Sequence, residues 1–168
     1  MNEEIEYNYQ KEIQDYIDKN GIHTSLGENI GRKGYEDFLL AGEELFKKYI
    51  DRYKIKPSST LIDYGCGSLR LGTHFIKYLN FRNYVGIDVT NKFYNAGKIN
   101  LKKYGINLNG ARFFTVDQLD DIPLFNPEFL ISSNVAYHVH PKKILEYFDN
   151  IKKLTKPKSN LIFDARIY

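Results

Sequence analysis

An apolar run that leads through two glycines into an amphipathic segment constrains the fold of this chain more than any other feature. Residues 60–62 are β-branched or apolar, and the run is short enough for a buried parallel strand that ends at Asp63. Gly65 and Gly67 lack a Cβ, so they can adopt positive φ and bring backbone N–H groups close to a ligand. Apolar residues then recur at helical spacing between residues 71 and 79. The pattern predicts a strand, a ligand-binding loop and a helix in succession.

Further strands are predicted downstream, with helices between them. The apolar segments typical of strands are residues 84–88, 112–116, 129–133 and 160–165. Helical patterns cover residues 91–104 and the stretch after Pro141, which suits the first turn of a helix. Asp88 ends the second strand, 21 residues after Gly67. A carboxylate in that place can accept hydrogen bonds from ribose hydroxyls, so the pattern predicts an α/β protein with a nucleotide site.

The spacing of the glycines distinguishes two classes of nucleotide-binding loop. A dinucleotide fingerprint G-x-G-x-x-G would need a glycine at position 70, where this chain has Arg70. Residues 63–68, Asp-Tyr-Gly-Cys-Gly-Ser, followed by Arg70, instead resemble the D-x-G-C-G-S-G-R form of motif I in class I S-adenosylmethionine-dependent methyltransferases. Leu69 stands where that form has its third glycine. Further landmarks follow in the family's order, so the resemblance extends from residue 60 to the end of the sequence.

The resemblance implies a fold, a cofactor and the residues that bind it. The fold is α/β and Rossmann-like, an open, mostly parallel sheet of order 3-2-1-4-5 with helices on both faces and an N-terminal helical element. The cofactor is S-adenosyl-L-methionine, with Asp88 at the ribose and Asp117 at the adenine amino group. The residues alone equally allow Asp63 to be a turn carboxylate and Asp117 a loop residue. The implied cofactor-binding residues are Asp63, Gly65, Cys66, Gly67, Asp88, Val89, Asp117, Gln118 and Asn134.

The segment after the fourth strand holds the candidates for catalysis. Some family members carry an S-V-x-x-H stretch there, close to the transferable methyl group. In this chain Asn134 takes the place of the serine, Val135 matches and His138 falls on the histidine. A hydroxyl or ammonium acceptor must lose a proton, and histidine is a natural base, so His138 is the first candidate and His140 the second. The alternative interpretation is that both histidines only precede the helix that begins near Pro141.

The charge pattern bears on the methyl acceptor. The formal net charge is +3, but the lysine pairs are distributed over separate predicted helices, which is typical of solvated surfaces and not of a nucleic-acid site. Family members that methylate base amino groups usually carry an N-P-P-Y-like motif after the fourth strand, whereas residues 134–137 are Asn-Val-Ala-Tyr. A small-molecule acceptor is therefore favoured over nucleic acid. Two alternatives stay open: a nucleotide-binding module without turnover, and a subunit that a partner completes.

One compact domain with an N-terminal element is predicted. Residues 1–56 are expected to form a helical cap or lid, with helices over residues 3–20 and 35–53. Residues 57–168 are expected to form the cofactor-binding domain, shortened at its C-terminus. The family adds an antiparallel hairpin after the fifth strand, which this sequence lacks. The fifth strand is therefore predicted to be a sheet edge open to a homo-oligomer or a partner subunit.

The composition limits the remaining classes of site and location. Cys66 is the only cysteine, which excludes an intrachain disulfide and a zinc site built from several cysteines, and no metal is expected. Cys66 is expected to contribute its backbone to the loop. The apolar runs are far shorter than the roughly 18 residues of a membrane span, and the acidic N-terminus does not resemble a signal peptide. The sequence therefore predicts a cytoplasmic protein without membrane contact.

Overall fold

Helices and strands alternate along the chain. The computed structural model describes residues 31–123 and 125–164. The first predicted helix, residues 3–20, lies outside the described residues, as does residue 165 at the end of the predicted fifth strand. The helices and strands are α1 (Gly31–Tyr53), β1 (Leu61–Tyr64), α2 (Gly72–Tyr78), β2 (Tyr84–Asp88), α3 (Asn91–Lys103), β3 (Arg112–Thr115), β4 (Phe129–Ser132), α4 (Ile144–Leu154) and β5 (Asn160–Phe163). Short 3₁₀ segments lie at Val116–Asp121, Ala136–His138 and Pro141–Lys143.

The five strands form one parallel sheet. Their order is β3-β2-β1-β4-β5, which confirms the prediction. In the centre, Leu61 of β1 lies opposite Tyr84 of β2 on one side and Phe129 of β4 on the other. The direction in which strands are added reverses between β1 and β4, and ligands of such sheets bind in the crevice at the carboxyl ends of the strands at that reversal. The candidate site is therefore expected at this edge.

Alternation of side chains along the strands builds a core on each face of the sheet. Every residue of β1 and β2 is buried, as expected for central parallel strands. Leu61 packs in a cluster with residues of α1, α2 and α3, whereas Ile62 and Tyr64 pack in a cluster with α4. Helices thus cover both faces, as predicted.

Helix α1 packs against α2, and its Tyr49 joins the core cluster on that face of the sheet. The Phe46 ring lies 5.1 Å from Phe75 and 5.4 Å from Tyr78, edge-on to both. Gly42 has no Cβ, which lets α1 approach the backbone carbonyl of Arg70 closely. This contact holds α1 beside the loop that follows β1. Among the described residues, no helix combines the length and the apolar character that crossing a membrane requires.

Candidate functional site

The glycine loop, residues 65–70, turns sharply at the end of β1. The backbone N–H groups of Gly65 and Cys66 donate to the carbonyl oxygen of Ile87 at 2.7 and 3.0 Å, which ties the start of the loop to β2. Gly65 and Gly67 have φ values of 86° and 51°, a region that glycine enters without steric cost. A Cβ at Gly67 would have no atom within 4 Å, so this part of the loop faces open space. The loop therefore presents its backbone to the edge of the sheet.

Leu69 adopts the left-handed conformation at the place where the resembling motif has its third glycine. Its φ is 67°, and its side chain is completely buried. Left-handed backbone costs about 1–2 kcal/mol for a residue with a Cβ. Burial of a leucine side chain contributes about 1.5–3 kcal/mol, which offsets that cost. The Leu69 side chain packs beside Gly72 and Gly97, so the loop keeps its shape without the third glycine.

Asp88 lies directly against the glycine loop. Its Oδ2 accepts a hydrogen bond from the backbone N–H of Gly67 at 2.7 Å, and its Oδ1 accepts from Val89 at 2.8 Å. Burial raises the pKa of Asp88 to about 6, although backbone N–H groups of Gly67, Val89 and Thr90 favour the charged form. The structure thus brings together two features that lie 21 residues apart in the sequence.

Asp63 is also buried, but its partner is a side chain. The Tyr84 hydroxyl donates to Asp63 Oδ2 at 2.7 Å. Burial raises the pKa of Asp63 to about 7, the Tyr84 hydrogen bond opposes that rise, and the charge of Asp88 adds to it. The Tyr84 hydroxyl occupies the space that a Cβ on Gly72 would need. Asp63 of β1 is therefore connected to β2 through the Tyr84 hydroxyl, which also packs against Gly72 at the start of α2.

Cys66 is a buried free thiol within the described residues. Burial raises its pKa well above the ordinary value, and the nearby carboxylates Asp88 and Asp63 raise it further. A thiol in this environment stays protonated and is a poor nucleophile. Its backbone N–H donates to the Ile87 carbonyl oxygen at 3.0 Å, and its carbonyl oxygen accepts from the Leu69 N–H at 3.1 Å.

The predicted adenine-side residues lie at the end of β3. Asp117 and Gln118 are exposed in the 3₁₀ segment that follows the strand. Gln118 Oε1 accepts hydrogen bonds from the backbone N–H and the hydroxyl of Thr115, at 3.0 and 2.9 Å. Gln118 therefore orders this turn and leaves the Asp117 carboxyl at the surface.

The loop after β4 reaches across to the glycine loop. Asn134 is exposed and left-handed, with a φ of 58°. Val135 packs on Gly65 so closely that a Cβ on the glycine would overlap a Val135 methyl group. His138 is exposed, and its backbone N–H donates to the Val135 carbonyl at 2.8 Å. His140 caps the next 3₁₀ turn, since its Nδ1 accepts from the backbone N–H of Lys142 at 3.2 Å.

Residues from three distant parts of the chain meet at the start of this loop, and we call them the Asp164 cluster: Tyr49, Ser133, Asn134 and Asp164. Asp164 follows β5, and its Oδ2 accepts from the Ser133 hydroxyl at 2.8 Å and from the Asn134 backbone N–H at 3.1 Å. The Tyr49 hydroxyl of α1 donates to Ser133 Oγ at 3.1 Å and contacts Asp164 Oδ1 at 3.4 Å. The cluster connects α1, the end of β4 and the end of β5.

Solved structures share this arrangement of strands and helices. Magnesium protoporphyrin IX methyltransferase from Synechocystis PCC 6803, crystallised with S-adenosylmethionine, matches with a TM-score of 0.64 at 12% identity, over 95% of this chain and 76% of that chain. The chain has the class I methyltransferase fold. A Methanococcus maripaludis protein described as a candidate S-adenosyl-L-methionine-dependent methyltransferase matches with a TM-score of 0.57 at 15% identity, over 97% of this chain and 67% of that chain.

A third structure with the same fold carries a different name. Precorrin 8W decarboxylase from Methanobacterium thermoautotrophicum matches with a TM-score of 0.54 at 16% identity. The match covers 74% of this chain and 63% of the decarboxylase, so the chain spans less than two thirds of that protein. No protein-family model and no curated protein matches the sequence. Identities this low establish the class I methyltransferase fold alone.

The sequence analysis did not predict the hydrogen bonds between side chains at the site, which involve Tyr84, Asp164 and Tyr49. The Asp63–Tyr84 hydrogen bond had a detectable signal, because Tyr84, Gly86 and Asp88 alternate onto one face of β2, and Asp63 lies opposite Gly86 on β1. Asp164 had a weaker signal, since a polar residue after a parallel strand lies at the carboxyl edge of the sheet. No local pattern pointed to Tyr49, which reaches the edge only because of how α1 packs.

Proposed function

We propose that this protein is an enzyme that transfers a methyl group from S-adenosyl-L-methionine to a small-molecule acceptor. One observation carries the proposal: the buried Asp88 carboxylate lies against a glycine loop that faces open space, at the carboxyl edge of the sheet beside its topological switch point. A carboxylate in this place suits ribose hydroxyls, and the exposed loop backbone suits a ligand that approaches closely. The class I methyltransferase fold supports the same conclusion.

The residues present fit the adenosyl group. Asp88 has two carboxylate oxygens with about four lone-pair positions, and the N–H groups of Gly67, Val89 and Thr90 use three of them. Acceptor capacity therefore remains for a ribose hydroxyl. In this proposal Gly65, Gly67 and the Cys66 backbone form the floor of the site, Asp63 supports it through Tyr84, and Asp117, Gln118 and Asn134 border it.

The chain's contribution to the reaction is mainly alignment. S-adenosylmethionine, when bound, supplies a methyl group that its sulfonium already activates. The protein must hold the acceptor in line with that group and exclude water, and orientation of this kind accounts for a large part of catalysis. A hydroxyl or ammonium acceptor must also lose a proton, and we assign that role to His138. His140 is the weaker candidate, because its Nδ1 is engaged in the cap of the following turn.

A small-molecule acceptor agrees with the distribution of charge. The lysine pairs at residues 102–103, 142–143 and 152–153 are exposed on three different elements, so they do not form one continuous basic surface. Magnesium protoporphyrin IX methyltransferase, which shares the fold, takes its name from an acceptor of this class. We also place the reaction in the cytoplasm and assign residues 1–56 as a helical cap or lid element.

We also propose that β5 contacts a second copy of this chain or a partner subunit. The exposure of this edge strand supports that proposal. Leu161 is 41% exposed and Phe163 is 44% exposed on this strand, and the Phe148 ring of α4 lies 6.1 Å from Phe163. Among residues 31–123 and 125–164, β5 is the last strand on its side of the sheet, and an apolar edge strand favours association. Light scattering should report a species larger than one chain, and Phe163→Lys should shift it toward the monomer. A monomeric wild-type protein would exclude a stable homo-oligomer.

Calorimetric titration tests the cofactor site. S-adenosylmethionine and S-adenosylhomocysteine are expected to bind, NADH is not, and Asp88→Ala should remove binding of both adenosyl ligands. Adenosyl-ligand binding that survives Asp88→Ala would contradict the assignment of Asp88, and absence of binding to the wild-type protein would contradict the proposed function.

A nucleotide-binding module without turnover is the alternative. It predicts binding without any acceptor-dependent release of S-adenosylhomocysteine.

The pKa of Asp88 gives a further test by pH. Burial raises this pKa to about 6, so the carboxylate is charged above pH 6 and becomes protonated below it. A charged carboxylate accepts hydroxyl hydrogen bonds more strongly than a neutral one. Affinity for S-adenosylhomocysteine should therefore rise as the pH increases from 5 to 7.5, and Asp88→Asn should make the profile flatter. An equally steep profile in Asp88→Asn would show that another group controls it.

A further inference from the structure

We propose that Asp164, Tyr49 and Ser133 are positioning residues, which hold the loop after β4 in the conformation that receives the part of the ligand beyond its adenosine. This inference rests on the proposed function for the identity of the ligand. The positioning itself is a property of the chain and can be measured without any ligand.

The first argument is the number of contacts that converge on one carboxylate. Asp164 accepts hydrogen bonds from the Ser133 hydroxyl and the Asn134 backbone N–H, and the Tyr49 hydroxyl lies 3.4 Å from its other oxygen. Hydrogen bonds to a charged group are stronger than those between neutral groups. Burial raises the pKa of Tyr49 to about 12, so its hydroxyl keeps its proton and remains a donor at physiological pH. The cluster is therefore a stable connection between three elements.

The second argument is the backbone that this carboxylate holds. Asn134 adopts a φ of 58°, a left-handed conformation that most residues with a Cβ avoid and that asparagine adopts when its side chain hydrogen-bonds locally. The Asp164 carboxylate accepts the N–H of this residue, and the Asn134 side-chain Nδ2 donates to Ser133 Oγ at 3.2 Å. The backbone N–H and the side chain of Asn134 are thus both held by residues of the Asp164 cluster. Without these bonds, the loop is free to relax toward extended or right-handed backbone.

The third argument is the place that the loop occupies. Val135, the next residue, packs directly on Gly65 of the glycine loop. A ligand anchored by Asp88 at the end of β2 extends toward the crevice between β1 and β4, because the strand order reverses there. The loop after β4 forms one wall of that crevice. Its conformation therefore affects the tail of such a ligand, while the adenosine remains with Asp88 and the glycine loop.

Two ligands that share an adenosine can separate these roles. S-adenosylhomocysteine carries an amino-acid tail, and 5′-methylthioadenosine has only a methyl group in its place. Tyr49→Phe and Asp164→Asn are expected to weaken S-adenosylhomocysteine binding about tenfold and to leave 5′-methylthioadenosine binding unchanged. Asp88→Asn should weaken both ligands. Tyr53→Phe is the matched control, because it removes a hydroxyl from the same helix outside the cluster and should change neither affinity.

Amide hydrogen exchange of the ligand-free protein provides the second measurement. Exchange at residues 134–136 should become about tenfold faster in Asp164→Asn, while β1 and β2 keep the wild-type rates. Equal loss of both ligands, or unchanged exchange in this loop, would overturn the inference. If the wild-type protein binds neither ligand, the proposed function fails. The exchange rates then decide by themselves whether the cluster positions the loop.

Discussion

The two halves of the carboxyl edge hold their loops in different ways. At β1 and β2, backbone N–H groups of a glycine loop bind one buried carboxylate, Asp88, and most of the parts lie within one short stretch of sequence. At β4 and β5, the Asp164 cluster joins side chains that lie 31, 84 and 115 residues apart. The first half depends on local backbone geometry, and the second on how distant elements pack. Substitutions should therefore affect the two halves differently.

The largest expected effect concerns the buried carboxyl groups of the β1–β2 half. The folded-state pKa of Asp63 is raised from 3.8 to about 7, chiefly by burial. Between pH 4 and 7 the native state therefore holds more protons than the unfolded chain, and the free energy of unfolding falls as the pH rises. A shift of this size corresponds to about 4 kcal/mol. Asp88, with its pKa raised to about 6, adds in the same direction.

Urea denaturation at pH 4 and pH 7.5 checks this dependence. Asp63→Asn should match the wild-type protein at pH 4 and exceed its stability at pH 7.5, because it removes a buried charge. Tyr84→Phe should lose more stability at pH 7.5 than at pH 4, since it removes the hydroxyl that stabilises the Asp63 carboxylate. Identical pH profiles for the wild-type protein and Asp63→Asn would refute the assignment.

A smaller effect is expected where the two halves touch. Gly65→Ala forces a Cβ into the Val135 side chain at a φ of 86°, and should destabilise the fold by about 3 kcal/mol. Gly67→Ala has the same kind of backbone but meets open space, so it should cost about 1 kcal/mol. Thermal and urea unfolding of both variants measure the difference. Equal destabilisation would mean that the Val135 contact is not formed in solution.

Leu69 tests whether backbone conformation or packing dominates in the glycine loop. Both Leu69→Ala and Leu69→Gly remove a completely buried side chain and should be less stable than the wild-type protein. Leu69→Gly also relieves the left-handed backbone, so it should be more stable than Leu69→Ala by about 1 kcal/mol. The reverse order in urea unfolding would show that residue 69 is not left-handed.

The same contrast explains which parts of the structure could be predicted. The individual strands followed from local patterns, and their order followed from the resemblance to class I methyltransferases. Local patterns also placed the glycine loop and Asp88 at the same edge of the sheet, because parallel strands end there, but not the Gly67–Asp88 hydrogen bond. The left-handed φ of Leu69 could not be predicted, since leucine carries no preference for it. The contact of Tyr49 with Ser133 depends on the packing of α1 against α2, through Phe46 and other residues, and no local sequence pattern encodes such a distance.

The smallest expected effect lies within the Asp164 cluster and is a coupling between two residues. Tyr49→Phe and Ser133→Ala should each cost about 1 kcal/mol, because each removes one partner of a partly buried hydrogen bond. The double variant should cost less than the sum, by about 0.5 kcal/mol, since the two hydroxyls bind each other. Tyr53→Phe combined with Ser133→Ala is the matched control and should be additive. Urea unfolding of all the variants gives the coupling energy. If Tyr49 and Ser133 were additive as well, α1 would contact the β4–β5 half by packing alone, and the two halves would differ less than the structure indicates.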